Sequence, residues 1–246
     1  MSPWFGKRHD ATRFLILFPG RTGSSWLVDG LSRHPDICVE GEILVGQSAA
    51  AQEKIFKRLL RAGSSPRASG FKTKLKDVAD PESLRRCVRE NNVVVISMQR
   101  ADLLRLALSR INARRLYEAT GAWNVRAGAK PMGDGEVSAE ELSKALSDCQ
   151  SDVRTLGEFI DSLGVEPHVI EYADIINAPE SVLTMVQDWI GVEARSLLPS
   201  VVKNTNQDLT DAVPNFTELR NEMAGGTWGS VFDVDTVKEG CSSRER

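Results

Sequence analysis

The sequence predicts an α/β fold with a central, mainly parallel sheet and helices on both faces. Three observations carry that reading. Residues 14–18 and 93–98 are short, nearly unbroken apolar runs, the pattern of strands covered on both faces. Extended and helical patterns alternate along the chain, which suits parallel strands joined by helices. The first run stops at Pro19-Gly20, crosses a polar turn and enters a helical pattern, so the chain reads strand, glycine turn, helix N-terminus.

Residues 1–12 form a polar lead-in. After the turn, Trp26, Leu27 and Leu31 recur at helical spacing until His34-Pro35 stops the helix. Ile37-Cys38-Val39 is a short extended piece feeding a loop at Glu40-Gly41-Glu42. Ile55, Phe56, Leu59 and Leu60 share one face of a helix over 50–62, and Ser64-Ser65-Pro66 is a turn. Residues 70–75 read as a strand. Asp80-Pro81 opens a helix, with Asp80 as the cap and Pro81 at its first position. The second buried strand ends at Gln99-Arg100, and a helix starts near Asp102 with Leu104, Ala107, Leu108 and Ile111 inward. Residues 120–137 are glycine-rich and read as a long binding loop. Ser138 and Glu141 form a capping box for a long helix with Leu142, Leu146, Cys149, Val153, Leu156, Ile160 and Leu163 in register. Residues 167–172 are a third strand, and Pro179 opens a helix that Gly191 stops. The remainder is mostly loop, with a short helix over 216–223. One domain over 1–246 is expected, with 1–12 and about 229–246 as loose ends.

The length of 246 residues allows a sizeable core, and 41% hydrophobic with 26% charged residues is the balance of a globular chain. A net charge of −3 and a pI of about 5.8 give no general attraction to nucleic acid. An anionic ligand must be met by locally placed arginines and lysines. Cys38, Cys87, Cys149 and Cys241 are scattered, without Cys-x-x-Cys or histidines at ligand spacing, so neither a metal site nor a disulfide framework is expected. No apolar run reaches transmembrane length, and a cytoplasmic location is expected.

The turn is not a Walker A loop, which needs Gly-Lys-[Ser/Thr] at its end. Here the cation, Arg21, comes before Gly23, and Ser24 and Ser25 come after it. Arg21 offers a planar fork of donors, Thr22, Ser24 and Ser25 offer hydroxyls, and Gly23 lets the backbone approach closely. That set suits one compact anionic group. Pro19-Gly20-Arg21-Thr22-Gly23-Ser24-Ser25-Trp26-Leu27 resembles the 5′-phosphosulfate loop of the PAPS-dependent sulfotransferases, and is closer to their bacterial and carbohydrate branch, which includes trehalose-type enzymes. Gly20 is an extra residue against the cytosolic form of that loop. Arg100 closing a strand and Ser109 two turns into the next helix resemble the family's 3′-phosphate motif. Weaker likeness runs through Gly70-Phe71-Lys72, then 169–174, where Ala173 replaces the family's usual glutamate, then 189–192, 203–206 around Lys203, and 215–219.

The resemblance implies a P-loop-like fold and in-line transfer of a sulfuryl group from PAPS, without a metal, to a hydroxyl or amine of a small or carbohydrate-like acceptor. It implies that Arg21, Thr22, Gly23, Ser24, Ser25, Trp26, Arg100, Ser109 and Lys203 hold the donor, and that Arg21 and Lys72 serve the transfer. A base is needed for an alcohol acceptor. Glu42 is similar in position to the glutamate of bacterial carbohydrate sulfotransferases, with Glu40 as the alternative; either is equally readable as a solvated loop acid. Lys72 is also readable as a surface lysine. Trp123, Asn124 and Arg126 are candidate acceptor contacts, although Trp123 also reads as a loop anchor in the core. Of the three histidines, His9 lies in the lead-in, His34 precedes Pro35 at a helix end and reads as a capping or packing residue, and His168 sits at a strand start near an edge expected to lie away from the site. The competing readings are a P-loop kinase with a degenerate loop and a nucleotide-binding protein without catalysis. Nothing in the pattern codes for the acceptor's identity or the oligomeric state.

Overall fold

The computed structural model describes residues 11–60, 66–123, 135–197, 199–200 and 209–236. Among them, five strands form one sheet: β1 (Thr12–Leu17), β2 (Ile37–Glu40), β3 (Ala68–Thr73), β4 (Val94–Gln99) and β5 (His168–Glu171), in the order β2-β3-β1-β4-β5. Every pair is parallel. The register sets Ile16 of β1 beside Lys72 of β3 and Ile96 of β4.

The helices are α1 (Ser24–Leu31), α2 (Ala49–Leu60), α3 (Pro81–Glu90), α4 (Leu103–Thr120), α5 (Ala139–Ser162), α6 (Tyr172–Asn177), α7 (Pro179–Trp189), α8 (Leu209–Ala212) and α9 (Phe216–Met223). Side chains alternate across a strand, so β1 feeds two cores. Phe14 and Ile16 pack on one face with Leu27 and Leu31 of α1 and Val182 and Val186 of α7. Leu15 and Leu17 pack on the other with Leu84 and Val88 of α3 and Phe159 and Ile160 of α5. Full burial of such a side chain is worth about 1.5–3 kcal/mol relative to exposure. A third cluster lies beside the sheet, where Leu106 and Ile111 of α4 meet Leu142 and Leu146 of α5 and Leu219 of α9. The expected α/β architecture, with helices on both faces of a parallel sheet, is therefore present.

Local capping follows the sequence. Asp80 accepts from the backbone N–H groups of Glu82 and Ser83, and Asp102 accepts from Arg105. The capping box expected at Ser138 is half made: Ser138 Oγ accepts from the Glu141 N–H, but the Glu141 carboxylate pairs with Arg114 and Arg115. Four other expectations need correction. The third strand stops at Glu171, and Tyr172 opens α6 instead of continuing it. Val153 faces solvent, because the core-facing stripe of the long α5 drifts away from it toward Leu156. Trp123 is exposed and does not anchor its loop in the core. Residues from 229 are not loose throughout: Gly229–Thr236 is 3-10 helical, and Phe232 is buried against Phe216.

β1 lies at the centre of the sheet and has neighbours reached in opposite directions, β3 on one side and β4 on the other. In such a sheet the crevice for a ligand opens beyond the carboxyl end of the strands. The turn after β1 sits there. No helix among the described residues is long and apolar enough to cross a membrane.

Candidate active site

The turn from β1 to α1 carries left-handed backbone at Gly20 (φ 102°), Arg21 (φ 58°) and Gly23 (φ 83°). A non-glycine residue is uncommon there, and the conformation stores strain at Arg21. A side chain at Gly23 would be strained by the left-handed backbone, and its Cβ would lie 2.8 Å from Ile175 Cδ1, which would have to shift. As the N-cap of α1, Gly23 supplies no side-chain bond, and the first turn has no acidic residue. The first N–H groups and the positive end of the helix dipole thus remain directed at the turn. Thr22 is buried in it, and its hydroxyl has no hydrogen-bond partner among the described residues. These features fit a phosphate-like anion.

Lys72 is a buried lysine of β3, not a surface one. Its Nζ stands 2.9 Å from Ser25 Oγ, 3.4 Å from Ser24 Oγ and 3.3 Å from Glu42 Oε1. The neighbouring strand thereby brings to the turn the cation that a Walker loop would carry itself. Burial lowers the Lys72 pKa; the charge and hydrogen bond of Glu42 oppose the shift.

Glu42 lies in the turn after β2, with one oxygen toward Lys72 and the other on Lys74. Burial pushes its carboxyl upward, but the hydrogen bond and charge of Lys74, joined by those of Lys72, outweigh this and hold it below the ordinary value. Glu40, the alternative base, points elsewhere and pairs with Arg58 at 2.6 Å.

The second signature closes on the first. Arg100 is buried at the end of β4, its guanidinium carbon 4.2 Å from the Tyr172 ring centroid. Ser109, also buried, accepts from Arg21 Nε at 3.2 Å. Arg21 also donates to the Trp123 carbonyl at 3.1 Å. Burial lowers the Arg21 pKa; Tyr172 opposes the shift and the nearby Arg100 charge adds to it. Arg110 donates to the Pro19 carbonyl at 3.0 Å while pairing with Asp152 at 2.9 Å, which ties the turn to α4 and α5.

A cavity of about 730 Å³ opens from this turn toward α4 and α5, within the range of small-molecule sites. Arg21, Ser24, Ser25, Glu42, Lys72 and Trp123 line it, while Arg100 and Ser109 do not. Ile111 and Ala145 add apolar wall, and Arg114 and Lys144 add charge. Trp123 stacks on Tyr117 with ring centroids 4.3 Å apart. Trp26 is turned against the sheet core and takes a packing position. His34 is buried between the Glu193 carbonyl and the Asp36 N–H, and His168 stacks on Trp189, so neither serves the cavity. Asn124, Arg126, Lys203 and His9 lie outside the described residues.

Three participants escaped the sequence reading: Lys74, Tyr172 and Arg110. Lys74 carried a signal. It follows Lys72 by two positions and retains extended backbone (φ −90°, ψ 147°), so strand alternation turns both lysines to one side. Tyr172 and Arg110 act across the fold and had no local signal.

No family model matches the chain. It is 25% identical over 243 residues to Nodulation protein H of Rhizobium tropici, across 90% of this chain and 93% of that one. Among solved structures, a sulfotransferase from Alicyclobacillus acidocaldarius superposes with a TM-score of 0.50 at 14% identity, covering 93% of this chain and 94% of the other. The sulfotransferase domain of the curacin biosynthetic pathway aligns with a TM-score of 0.46 at 16% identity, covering 94% and 92%. The Alicyclobacillus likeness is one of fold over nearly the whole chain. The chain has the sulfotransferase fold, with sequence stretches resembling both of that family's nucleotide signatures at the carboxyl edge of its sheet.

Proposed function

We propose that this protein transfers a sulfuryl group from PAPS to a hydroxyl or amine of a small or carbohydrate-like acceptor. The observation that carries the reading is the convergence of Lys72 and Glu42 on Ser24 and Ser25, at the uncapped N-terminus of α1 and at the head of the cavity. The donor supplies an activated sulfuryl group joined to a 5′-phosphate. Arg21, the turn hydroxyls and the N–H groups of α1 hold that end, and Arg100 with Ser109 holds the 3′-phosphate. Glu42 accepts the proton of the acceptor hydroxyl as its oxygen becomes bonded to sulfur. Lys72, Arg21 and the helix dipole meet the negative charge that develops on the 5′-phosphate side as the old bond breaks. Trp123 bounds the acceptor's side of the cavity.

Two measurements test this reading. Adenosine 3′,5′-bisphosphate should raise the melting temperature. Labelled PAPS should then pass its label to members of an acceptor panel. Thermal protection by ATP with magnesium and none by the bisphosphate would sink the proposal in favour of a kinase-like enzyme. Protection by the bisphosphate without transfer to any acceptor would favour a non-catalytic nucleotide-binding protein.

A further inference from the structure

We propose that Lys74 is a positioning residue, holding one oxygen of Glu42 in place while Lys72 turns to the donor. The inference rests on the sulfuryl-transfer reading and goes beyond it, by dividing the work between two lysines that contact the same carboxylate.

Each oxygen of Glu42 has its own cation: Oε1 faces Lys72 at 3.3 Å, and Oε2 is bonded to Lys74. The two lysines are otherwise held differently. Lys72 is shared with the hydroxyls of Ser24 and Ser25, so an anion seated in the turn competes directly for its ammonium group. Lys74 is not bonded to those hydroxyls among the described contacts. Its other neighbours are Asp77, at 3.7 Å, and the Phe18 ring, 5.3 Å from Nζ to centroid. Its stem passes beside the turn, where a Cβ on Gly20 would lie 3.8 Å from Lys74 Cε. The charged groups facing Glu42 are therefore Lys72 from β3 and Lys74 just after it, with Asp77 behind Lys74.

A base needs one oxygen free for the acceptor and the other fixed. When an anion in the turn draws Lys72 away, Oε1 is released on the side of the cavity. Oε2 stays on Lys74, which is bonded to neither turn hydroxyl among the described contacts and has Asp77 behind it. Without Lys74 the carboxylate would lose both anchors at the moment it must be aimed.

The experiment compares wild type, Lys74→Met and Lys74→Arg by two readouts. In turnover, Lys74→Met should lower kcat roughly tenfold, a part of what a general base contributes. It should also move the acid limb of kcat up by about one pH unit, since a cation next to a carboxylate is lost. Lys74→Arg should restore both, and thermal protection by the bisphosphate should be the same in all three proteins. The second readout needs no acceptor: the carboxyl carbon of Glu42 is titrated by NMR with the bisphosphate bound. Its midpoint should rise in Lys74→Met and return in Lys74→Arg. An unmoved midpoint, or an unchanged kcat and acid limb, overturns the proposal. If the wild type transfers no sulfuryl group, the functional reading fails, and the titration still decides whether Lys74 holds Glu42.

Discussion

The two ends of the site are built from different materials. At the Lys72 end, opposite charges neutralise each other within the protein: Lys72 and Lys74 meet Glu42, and Lys74 meets Asp77. At the Arg100 end, two like charges stand close enough to influence each other, Arg21 and Arg100, with Tyr172 between their effects. The first arrangement is satisfied before any ligand arrives, so binding there requires partners to be exchanged. The second brings two cations near each other in a buried place, and an anion placed between them would relieve their repulsion. Chemistry that moves a proton suits the exchangeable end. Recognition of a fixed charge suits the arginine end.

That contrast yields predictions of different kind and size. The largest concerns Glu42→Gln. If the exchangeable end does the chemistry, turnover should fall by about 10²- to 10⁴-fold. Thermal protection by the bisphosphate should persist, because Glu42 touches neither Arg21 nor Arg100 among the described contacts. Unchanged turnover would remove Glu42 as the base and erase the contrast.

A smaller effect is expected at the other end. Arg100→Ala should cost about 10- to 100-fold in affinity for nucleotides with a 3′-phosphate, the size of a lost charged hydrogen bond. Nucleotides lacking that phosphate should be nearly unaffected. Isothermal titration with adenosine 5′-phosphate and with the 3′,5′-bisphosphate measures both. Equal weakening of the two would mean that Arg100 supports the fold through Tyr172 and does not select the donor.

The two ends also differed in how far they could be read from sequence. The strand, the turn and α1 are local: apolar run, glycines and helical spacing follow one another, and Arg21 to Ser25 could be named directly. Arg100 and Ser109 were legible for the same reason, as a strand end and a helix position. What joins them was not. The bond from Arg21 to Ser109 spans 88 residues, and the Tyr172 ring under Arg100 comes from a strand end read as continuing. The choice between Glu42 and Glu40 turned on partners, Lys72 with Lys74 for one and Arg58 for the other, which no spacing encodes. Burial of Phe232 lay beyond reach because its ring partner is Phe216, a contact across the fold that no local spacing encodes.

The smallest effect separates the ends through pH. Glu42 has a depressed pKa because Lys74 and Lys72 outweigh its burial. A carboxylate held lower in the folded state than in the unfolded chain contributes stability above its unfolded value, about 4.3. The contribution disappears as pH falls through the folded value. In Glu42→Gln, the introduced amide mimics the protonated acid in shape and charge. The wild type should therefore melt higher than Glu42→Gln near neutrality, and the gap should close on acidification below about pH 4.3. A partly exposed pair is worth up to about 1 kcal/mol, which corresponds to about 2–4 °C in a chain of this size. Arg100→Ala should show no such closing gap, since its guanidinium stays charged throughout that range. A constant gap for Glu42→Gln would mean that packing, not the two lysines, sets its contribution, and the exchangeable end would lose its defining property.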